Sequence, residues 1–313
     1  MASGLHFIAL LCLTSGLWME ANVSIIWCCE SCPSGWAQIG TRCFMFNFQE
    51  RDWADAELAC IKLGGNLASL RSAYDYKVAR EIVKRATGRD KPIWIGGHDA
   101  VKEGVWEWSD GSKFDFTGWA KAEPNNAGKG EHCMEMNFKE HDYVNDMKCE
   151  EKRSFLCSTD PTSQQLSLTN KTNDIFLILD HVGASCVTCP TDWKEFDGHC
   201  FLFSLGPKGW ADAEADCIAH GGNLASVHGS DQYNFLKEII KSVTGADTQT
   251  WIGGHDAVKE GVWMWSDGTQ FKFDLWGPGE PSSSRGEHCL ELNYLGKPND
   301  GQCQLKKPFI CQL

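Results

Sequence analysis

Residues 94–114 read WIGGHDAVKEGVWEWSDGSKF, and residues 251–271 read WIGGHDAVKEGVWMWSDGTQF. The two segments lie 157 residues apart, and the same offset relates Cys60 to Cys217. A repeat of this length has the size of a whole domain and exceeds the units of solenoid proteins. With 313 residues, of which 42% are hydrophobic, the chain can form two separate cores. The repeat therefore predicts two copies of one domain.

The N-terminus and the cysteine content indicate export from the cell. Residues 7–13 form a short apolar run followed by small residues, as in a secretory signal peptide, although no small-x-small motif defines a cleavage bond. Sixteen cysteines would be unusual in a reducing cytosol. No stretch approaches the roughly 20 apolar residues of a membrane span. We therefore predict a secreted, extracellular protein.

The predicted organisation has four parts, which are a signal peptide at 1–21, a first domain at 29–158, a linker at 159–185 and a second domain at 186–313. The linker is polar at its start and contains the sequon Asn170-Lys171-Thr172. This sequon predicts an exposed glycosylation site at Asn170.

The charge balance and the motif content restrict the class of function. A formal net charge of −13 disfavours nucleic acids and anionic membranes as partners and favours cations. The sequence contains no nucleophile elbow, HExxH motif or phosphate-binding loop. Only scattered acids and histidines, such as Glu131 beside His132, suggest an enzyme. We therefore predict a binding protein and not an enzyme.

Each repeat contributes six cysteines in matching order. The two sets are Cys32, Cys43, Cys60, Cys133, Cys149 and Cys157, and Cys189, Cys200, Cys217, Cys289, Cys303 and Cys311. Even numbers predict disulfide bonds in a secreted domain, but the sequence does not choose among the connectivities. Zinc binding is the alternative for the Cys-x-x-Cys pairs that begin at Cys29 and Cys186, although an oxidising compartment disfavours it. Cys28, Cys29 and Cys186 lie outside both sets and raise the hypothesis of a disulfide-linked homo-oligomer.

Local patterns predict an α+β domain. Apolar residues recur at helical spacing across residues 53–63, which predicts a first helix. Ser72 and Asp75 form a capping pattern ahead of a second helix at 76–86. Short apolar or aromatic segments then predict strands, and they precede a long loop at 120–130. A loop of this length carries a function or needs a brace such as a disulfide or a bound metal.

Hard oxygen ligands cluster in this loop and after it. They are Glu123, Asn125, Glu131, Asn145 and Asp146. Calcium accepts about six to eight such oxygens at flexible geometry, whereas magnesium requires a tighter octahedron. Pro124 can form a cis peptide bond that aims its neighbours at one ion. The pattern predicts a calcium site, and the alternative is a solvated acidic loop.

Together, WIGG, WxWSDG, Glu-Pro-Asn, Asn-Asp and the cysteine frame resemble the C-type lectin domain over nearly all of both repeats. CPSGWAQIGTRCFMF and CPTDWKEFDGHCFLF, with GGNLAS after the first helix, are most similar to small fish lectins and type II antifreeze proteins. The resemblance implies two helices flanking two small antiparallel sheets in each domain, with a long calcium-binding loop region. It also implies six disulfides, Cys32 to Cys43, Cys60 to Cys157, Cys133 to Cys149, Cys189 to Cys200, Cys217 to Cys311 and Cys289 to Cys303.

The resemblance places the family's calcium and sugar site on Glu123, Asn125, Glu131, Asn145 and Asp146 of the first domain. Two vicinal sugar hydroxyls would complete the calcium shell, with carboxylates accepting their protons and amides donating to their oxygens. Glu-Pro-Asn is similar to the arrangement for mannose-type sugars, whereas the galactose type carries Gln-Pro-Asp. We therefore expect calcium-dependent binding of mannose-type glycans.

The first domain departs from the family pattern at two positions. Val144 stands where the family usually has Trp. The family's auxiliary calcium site would map to Asp99, Glu103, Asn126 and Glu131, but His132 replaces an expected acid there. The resemblance therefore implies the main site more firmly than the auxiliary one.

The second domain carries a modified set, Glu280, Ser282, Glu287, Asn299 and Asp300. Ser282 replaces a ligating amide with a shorter hydroxyl, so we expect weaker calcium binding or an altered specificity. The alternative is a domain that serves spacing, avidity or protein contact. Two active sites would raise avidity on a repetitive surface.

On this resemblance we expect recognition of microbial glycans in innate immunity. Two alternatives stay open at this point. One is ice binding, as in the type II antifreeze proteins, and the other is a calcium-independent, protein-binding lectin-like module.

Overall fold

The computed structural model describes residues 30–137, 144–163, 188–284 and 286–313. The predicted signal peptide, the sequon at Asn170, most of the predicted linker, and Cys28, Cys29 and Cys186 lie outside these residues. Among the described helices, none has both the length and the apolar character needed to cross a membrane.

Within the described residues each domain contains two helices, as predicted, which are α1 (Trp53–Lys62) and α2 (Ala73–Thr87) in the first and α3 (Trp210–Ala219) and α4 (Ser230–Thr244) in the second. Helix α2 begins before the predicted residue 76 because Ser72 caps it directly. The Ser72 side chain accepts a hydrogen bond from the Asp75 backbone N–H at 3.1 Å. The equivalent position before α4 is Gly229, which provides no side-chain cap.

The strands of the first domain are β1 (Glu30–Ser31), β2 (Ala37–Ile39), β3 (Arg42–Arg51), β4 (Asn66–Leu67), β5 (Ile93–His98), β6 (Glu107–Trp108), β7 (Cys133–Met136), β8 (Val144–Met147), β9 (Arg153–Thr159) and β10 (Thr162–Ser163). Antiparallel pairing joins β2, β3, β9 and β4 into one group and β6, β5, β7 and β8 into another. A parallel contact of β5 with β9 links the two groups into one sheet. The predicted pair of small antiparallel sheets is therefore continuous at this seam.

The second domain repeats this arrangement. Its strands are β11 (Lys194–Phe196), β12 (His199–Lys208), β13 (Asn223–Leu224), β14 (Thr250–His255), β15 (Met264–Trp265), β16 (Cys289–Tyr294), β17 (Lys297–Gly301) and β18 (Lys307–Gln312). The parallel contact is here between β14 and β18. In both domains the last antiparallel hairpin, β7 with β8 and β16 with β17, carries the predicted Asn-Asp ligand pair.

Buried tryptophans connect the first helix of each domain to its sheet. Trp53 is fully buried, and its indole N–H donates to the Ile95 carbonyl at 2.8 Å. Trp210 makes the same contact with the Ile252 carbonyl at 2.8 Å. A buried indole N–H without an acceptor would be costly, so these bonds fix the helix relative to β5 and β14.

The cysteines form the six disulfides that the resemblance implies, each within one domain. Cys60 and Cys157 close a sequence separation of 97 residues and join α1 to β9. Closing a loop of this size removes about 4 to 5 kcal/mol of chain entropy from the unfolded state. Cys133 and Cys149 brace the hairpin that carries the candidate ligands.

The two domains contact each other through equivalent residues. Asn66 donates to the Gly268 carbonyl at 2.9 Å, and its counterpart Asn223 donates to the Gly111 carbonyl at 3.0 Å. Reciprocal contacts of this kind characterise a two-fold interface. The repeat therefore packs against itself within one chain.

Ion pairs and buried side chains extend this interface. Lys102 pairs with Asp212 at 2.5 Å, and its counterpart Lys259 pairs with Asp55 at 3.1 Å. At the centre, the rings of His98 and His255 lie 5.5 Å apart, and both residues are buried. Apolar contacts also cross the domain interface, since Met264 of the second domain packs into the core of the first.

Candidate functional site

Asp146 organises the predicted ligand loop of the first domain. Its carboxylate is 1% exposed and accepts hydrogen bonds from the backbone N–H of Asn125 at 3.1 Å and of Asn126 at 2.6 Å. The preceding Glu123-Pro124 peptide bond is cis. Strand β8 thus holds the loop through an acidic side chain, and it brings residues that lie 21 positions apart into direct contact.

The strand also anchors the base of the loop through its backbone. Ala120 donates its N–H to the Val144 carbonyl at 2.9 Å, and Trp119 bridges to Val144. Val144, which stands where the family usually has Trp, is fully buried. The loop therefore starts from a fixed point on β8, one residue before the Asn145-Asp146 pair.

Asn145 is oriented by its own hydrogen bonds. The side-chain amide donates to Glu135 Oε1 at 3.3 Å and to the Asp146 carbonyl at 2.5 Å. Both donor hydrogens are engaged, so its carbonyl oxygen is the atom left to meet a ligand. Arg153 in turn holds Glu135 at 3.0 Å, which makes Glu135 an inner support for the site.

Glu131 lies at the C-terminal end of the loop, and its side chain folds back to contact the loop backbone. Its Oε2 accepts from the Ala127 N–H at 2.9 Å, while Asn126 Oδ1 accepts from the Glu131 N–H at 3.0 Å. Partial burial and the neighbouring Asp146 charge raise the pKa of Glu131. Carboxylates that repel one another in this way would be stabilised by a shared cation. All five predicted residues of the first domain are thus connected to this loop and its strand.

The second domain reproduces the clamp with different residues. Asp300 accepts from the backbone N–H of Ser282 at 2.9 Å and of Ser283 at 2.5 Å. The Glu280-Pro281 bond is also cis, and Asn299 donates to Glu291 at 3.0 Å. Ser282 Oγ reaches Glu287 at 3.5 Å.

In the second domain, one carboxylate oxygen is a candidate ligand for a cation. Glu280 Oε2 is buried without a hydrogen-bond partner among the described residues. Desolvation, followed by contact with Asp300, raises the pKa of Glu280. A buried carboxylate oxygen with no donor is costly, and a metal ion would satisfy it.

A triad of possible metal ligands lies against the loop of each domain, since Asn126 donates to Glu103 and Ser283 donates to Glu260. The first comprises Asp99, Glu103 and His132, whose ligand atoms all lie within 4.8 Å of one another, and the second comprises Asp256, Glu260 and His288. His132 Nδ1 is 2.9 Å from Asp99 Oδ1, and this hydrogen bond raises the pKa of His132.

The triad of the second domain was missed in the sequence. The signal that finds it is the repeat itself, because Asp256 and Glu260 lie at the offset of 157 residues from their counterparts. His288 is shifted by one residue since the second ligand loop is shorter.

Comparisons with known proteins agree with this architecture. The family model for the lectin C-type domain matches residues 49–159 and 206–313. The galactose-specific lectin nattectin of Thalassophryne nattereri is 46% identical over 158 residues, which is 50% of this chain and 98% of that protein. Ladderlectin of Oncorhynchus mykiss is 48% identical over 120 residues, covering 38% of this chain and 63% of that protein, which is less than two thirds of its length.

Among solved structures, a calcium-dependent type II antifreeze protein in its calcium-free form matches with a TM-score of 0.37 and 37% identity. The match covers 40% of this chain and 99% of that one. The resemblance to fish lectins that the sequence indicated is confirmed by the relatives above. The two matched regions together span more than half of the chain, and the chain therefore belongs to the C-type lectin domain family, with two copies of that carbohydrate-binding domain.

Proposed function

We propose that this chain is a secreted, calcium-dependent lectin whose first domain binds mannose-type glycans. One observation carries the proposal. Buried Asp146 holds the backbone of Asn125 and Asn126, so the loop with its predicted ligands is fixed beside the strand that carries Asn145 and Asp146. Without a cation, the carboxylates in this arrangement repel one another.

Calcium would be held by the side-chain oxygens of Glu123, Asn125, Glu131, Asn145 and Asp146. Their number and chemistry suit calcium, since carboxylates and amide carbonyls are its usual ligands. When bound, the ion would supply open coordination positions for two sugar hydroxyls. The protein's own contribution is to orient these ligands in advance, through the backbone bonds to Asp146 and the Glu135 contact to Asn145.

The sugar class follows from the order of acid and amide around Pro124. Glu123 accepts a hydroxyl proton and Asn125 donates to a hydroxyl oxygen, which is the order that resembles mannose-type domains. Nattectin is described as galactose-specific, so relatives within this family differ in their sugar. The sugar proposed for this chain therefore rests on Glu123 and Asn125.

The remaining parts of the proposal rest on the family and on the disulfides. Six disulfides fit an oxidising extracellular compartment. Recognition of microbial glycans in innate immunity is an extension by analogy. We propose binding without catalysis, and a second domain that contributes a weaker site through Glu280, Ser282, Glu287, Asn299 and Asp300.

The test is a glycan array probed with the mature protein in calcium and in chelator. The informative variant is Glu123→Gln with Asn125→Asp, which exchanges acid and amide around Pro124. The matched control is Asp115→Asn, because Asp115 is an exposed carboxylate outside the site. We expect chelator-sensitive binding to mannose-type glycans that the double variant shifts toward galactose and that the control retains.

Other outcomes have distinct meanings. Binding of the unaltered protein to galactose would keep calcium-dependent recognition and overturn the sugar assignment. Silence in both buffers would overturn the lectin proposal, and thermal hysteresis of the same sample would then indicate ice binding. Calcium-independent capture of a protein ligand would indicate the lectin-like alternative.

A further inference from the structure

We propose that Asp99, Glu103 and His132 form a binding site for a transition-metal ion of the zinc type, and that Asp256, Glu260 and His288 form a second. These sites are distinct in ligand chemistry from the calcium site of the ligand loop. The proposal rests on the identity of the donors, on their spacing, and on the supports around them.

The donor set disagrees with calcium. Calcium and magnesium are hard cations that prefer oxygen ligands, whereas imidazole suits zinc, copper and nickel. In each triad the histidine is the residue that faces both carboxylates. His132 Nδ1 lies 2.9 Å from Asp99 Oδ1 and 3.5 Å from Glu103 Oε2. The auxiliary calcium site expected for the family is therefore altered here into a mixed nitrogen and oxygen set.

The spacing matches a small tetrahedral ion. Zinc bonds of about 2.0 to 2.2 Å to nitrogen and oxygen place neighbouring ligands about 3.4 Å apart. The separations of His132 from its two carboxylates bracket this value. His288 repeats them, at 3.0 Å from Asp256 and 3.5 Å from Glu260. One ion can therefore reach all three donors after small side-chain rotations.

The buried ligand of each triad is held in place by backbone groups. Asp99 is 2% exposed, and its Oδ2 accepts from the Gly104 N–H at 2.7 Å, which leaves Oδ1 directed at the histidine. Asp99 also donates its own N–H to the His132 carbonyl at 3.1 Å. Such supports orient a ligand before a metal arrives.

The second triad has the same supports at the same distances. Asp256 is fully buried, its Oδ2 accepts from the Gly261 N–H at 2.7 Å, and its N–H donates to the His288 carbonyl at 3.1 Å. The two loops nearby differ in length and in Ser282, yet the triads agree. The geometry is thus retained in both copies of the repeat although the adjoining ligand loops differ.

Each site is open on one side. The side chain of Glu103 is 56% exposed and that of His132 is 32% exposed, so a hydrated ion can enter. Three protein ligands leave a fourth tetrahedral position for water. The site can therefore exchange its metal with solution.

The experiment is a cobalt titration of metal-stripped full-length protein in excess calcium. Cobalt is a spectroscopic substitute for zinc, and its visible absorption reports a tetrahedral nitrogen and oxygen shell. Excess calcium keeps the ligand loop occupied by its own ion. We expect two equivalents of cobalt per chain, one for each triad, and displacement of both by zinc.

Histidine variants assign the signal. His132→Gln and His288→Gln should each remove one equivalent and lower affinity at that site at least about 100-fold, because losing a ligand exceeds the effect of losing a support. His220→Gln is the control, since His220 is exposed and lies outside both triads. Circular dichroism of each variant confirms that it is folded.

Retention of both cobalt equivalents when His132→Gln and His288→Gln are combined, or absence of cobalt binding by the unaltered protein, would overturn the proposal. The second outcome would leave the histidine and carboxylates of each triad as hydrogen-bond partners only. Glycan binding in calcium is measured on the same samples. Failure of the metal sites therefore stays distinguishable from failure of the lectin function.

Discussion

Asn125 and Ser282 occupy equivalent positions after the cis prolines of the two domains. In both, the backbone N–H of this residue donates to the clamping aspartate, Asp146 or Asp300. The difference lies in the side chain, since an amide can ligate calcium and donate to a sugar while a hydroxyl is shorter. The backbone of the second site is therefore arranged as in the first, and the Ser282 side chain is the feature that we expect to weaken calcium and sugar binding.

Ser282→Asn should accordingly strengthen the second site. We expect calcium affinity of the second domain to rise about 10-fold and sugar binding there to become detectable, because a missing ligand is restored on an existing clamp. Calorimetric titration of calcium in an Asp146→Ala background, which removes a ligand and the loop clamp of the first domain, isolates the second domain. The control is Ser284→Asn in the same loop, and an equal gain from that change would argue against the reasoning.

At the scale of elements, α2 and α4 are equivalent helices with different N-termini. Ser72 caps α2, whereas Gly229 precedes α4 without a side-chain bond. Both helices end at a left-handed glycine, Gly88 or Gly245. The comparison isolates the N-cap as the distinguishing feature.

Ser72→Ala should lower the free energy of unfolding by about 1 kcal/mol, and Gly229→Ser should raise it by a few tenths. Serine at position 229 can stabilise the helix without strain, because Gly229 has an extended backbone and a Cβ there would meet nothing within 4 Å. Denaturant unfolding of the two variants measures both effects. Stabilisation by Ser72→Ala, or a loss from Gly229→Ser, would contradict the cap assignment.

At the scale of the whole molecule, the domain interface consists of repeated contacts around two left-handed glycines. Gly111 and Gly268 have φ of 71° and 75°. A Cβ at Gly268 would lie 2.8 Å from the Ser109 carbonyl oxygen of the other domain. The interface therefore requires glycine both for its conformation and for close backbone approach.

Docking of the two domains should depend on the close approach at these glycines. A protease site placed between residues 164 and 187 should yield two halves that still co-elute in gel filtration, whereas Gly268→Ala should separate them. Gly245→Ala is the matched control, because its φ is 74° and its Cβ would meet nothing within 4 Å. Separation of the unaltered halves would show that the contacts do not hold without the linker.

The buried histidine pair predicts sensitivity of the interface to acid. Burial lowers the pKa of His255 to about 4, and burial also places the pKa of His98 well below its ordinary value. For these two histidines the unfolded chain binds more protons than the folded one between about pH 6.5 and 4, so their contribution to stability falls as pH falls through this range. Burial raises the pKa of Glu57 and Glu214 to about 7, and those carboxyls contribute in the opposite direction. At about pH 5 the His255 contribution to the loss is about 2 kcal/mol.

Thermal unfolding at neutral and acidic pH measures this effect. His255→Gln should shift the pH dependence of the melting temperature toward greater stability in acid, since the variant has no imidazole to protonate there. His220→Gln should leave it unchanged, because that residue is exposed. An unchanged pH dependence in His255→Gln would contradict a role for this imidazole.

The sequence alone determined the features whose signals are local or repeated. The offset of 157 residues revealed two domains, and Ser72 with Asp75 marked the start of α2. The loop ligands were predicted through family resemblance, because Glu-Pro-Asn and Asn-Asp are short motifs. These features depend on neighbours along the chain, so a linear pattern contains them.

Tertiary structure decided what depends on residues distant in the chain. Asn66 and Gly268 are 202 positions apart, and their contact follows from the shapes of two folded surfaces. The Asp146 clamp likewise requires β8 to lie beside the loop, and the seam between β5 and β9 joins groups that the sequence suggested as separate sheets. Burial of His98 against His255 arises only when the domains dock. Such pairings reflect packing and desolvation in three dimensions, for which one-dimensional spacing contains no signal.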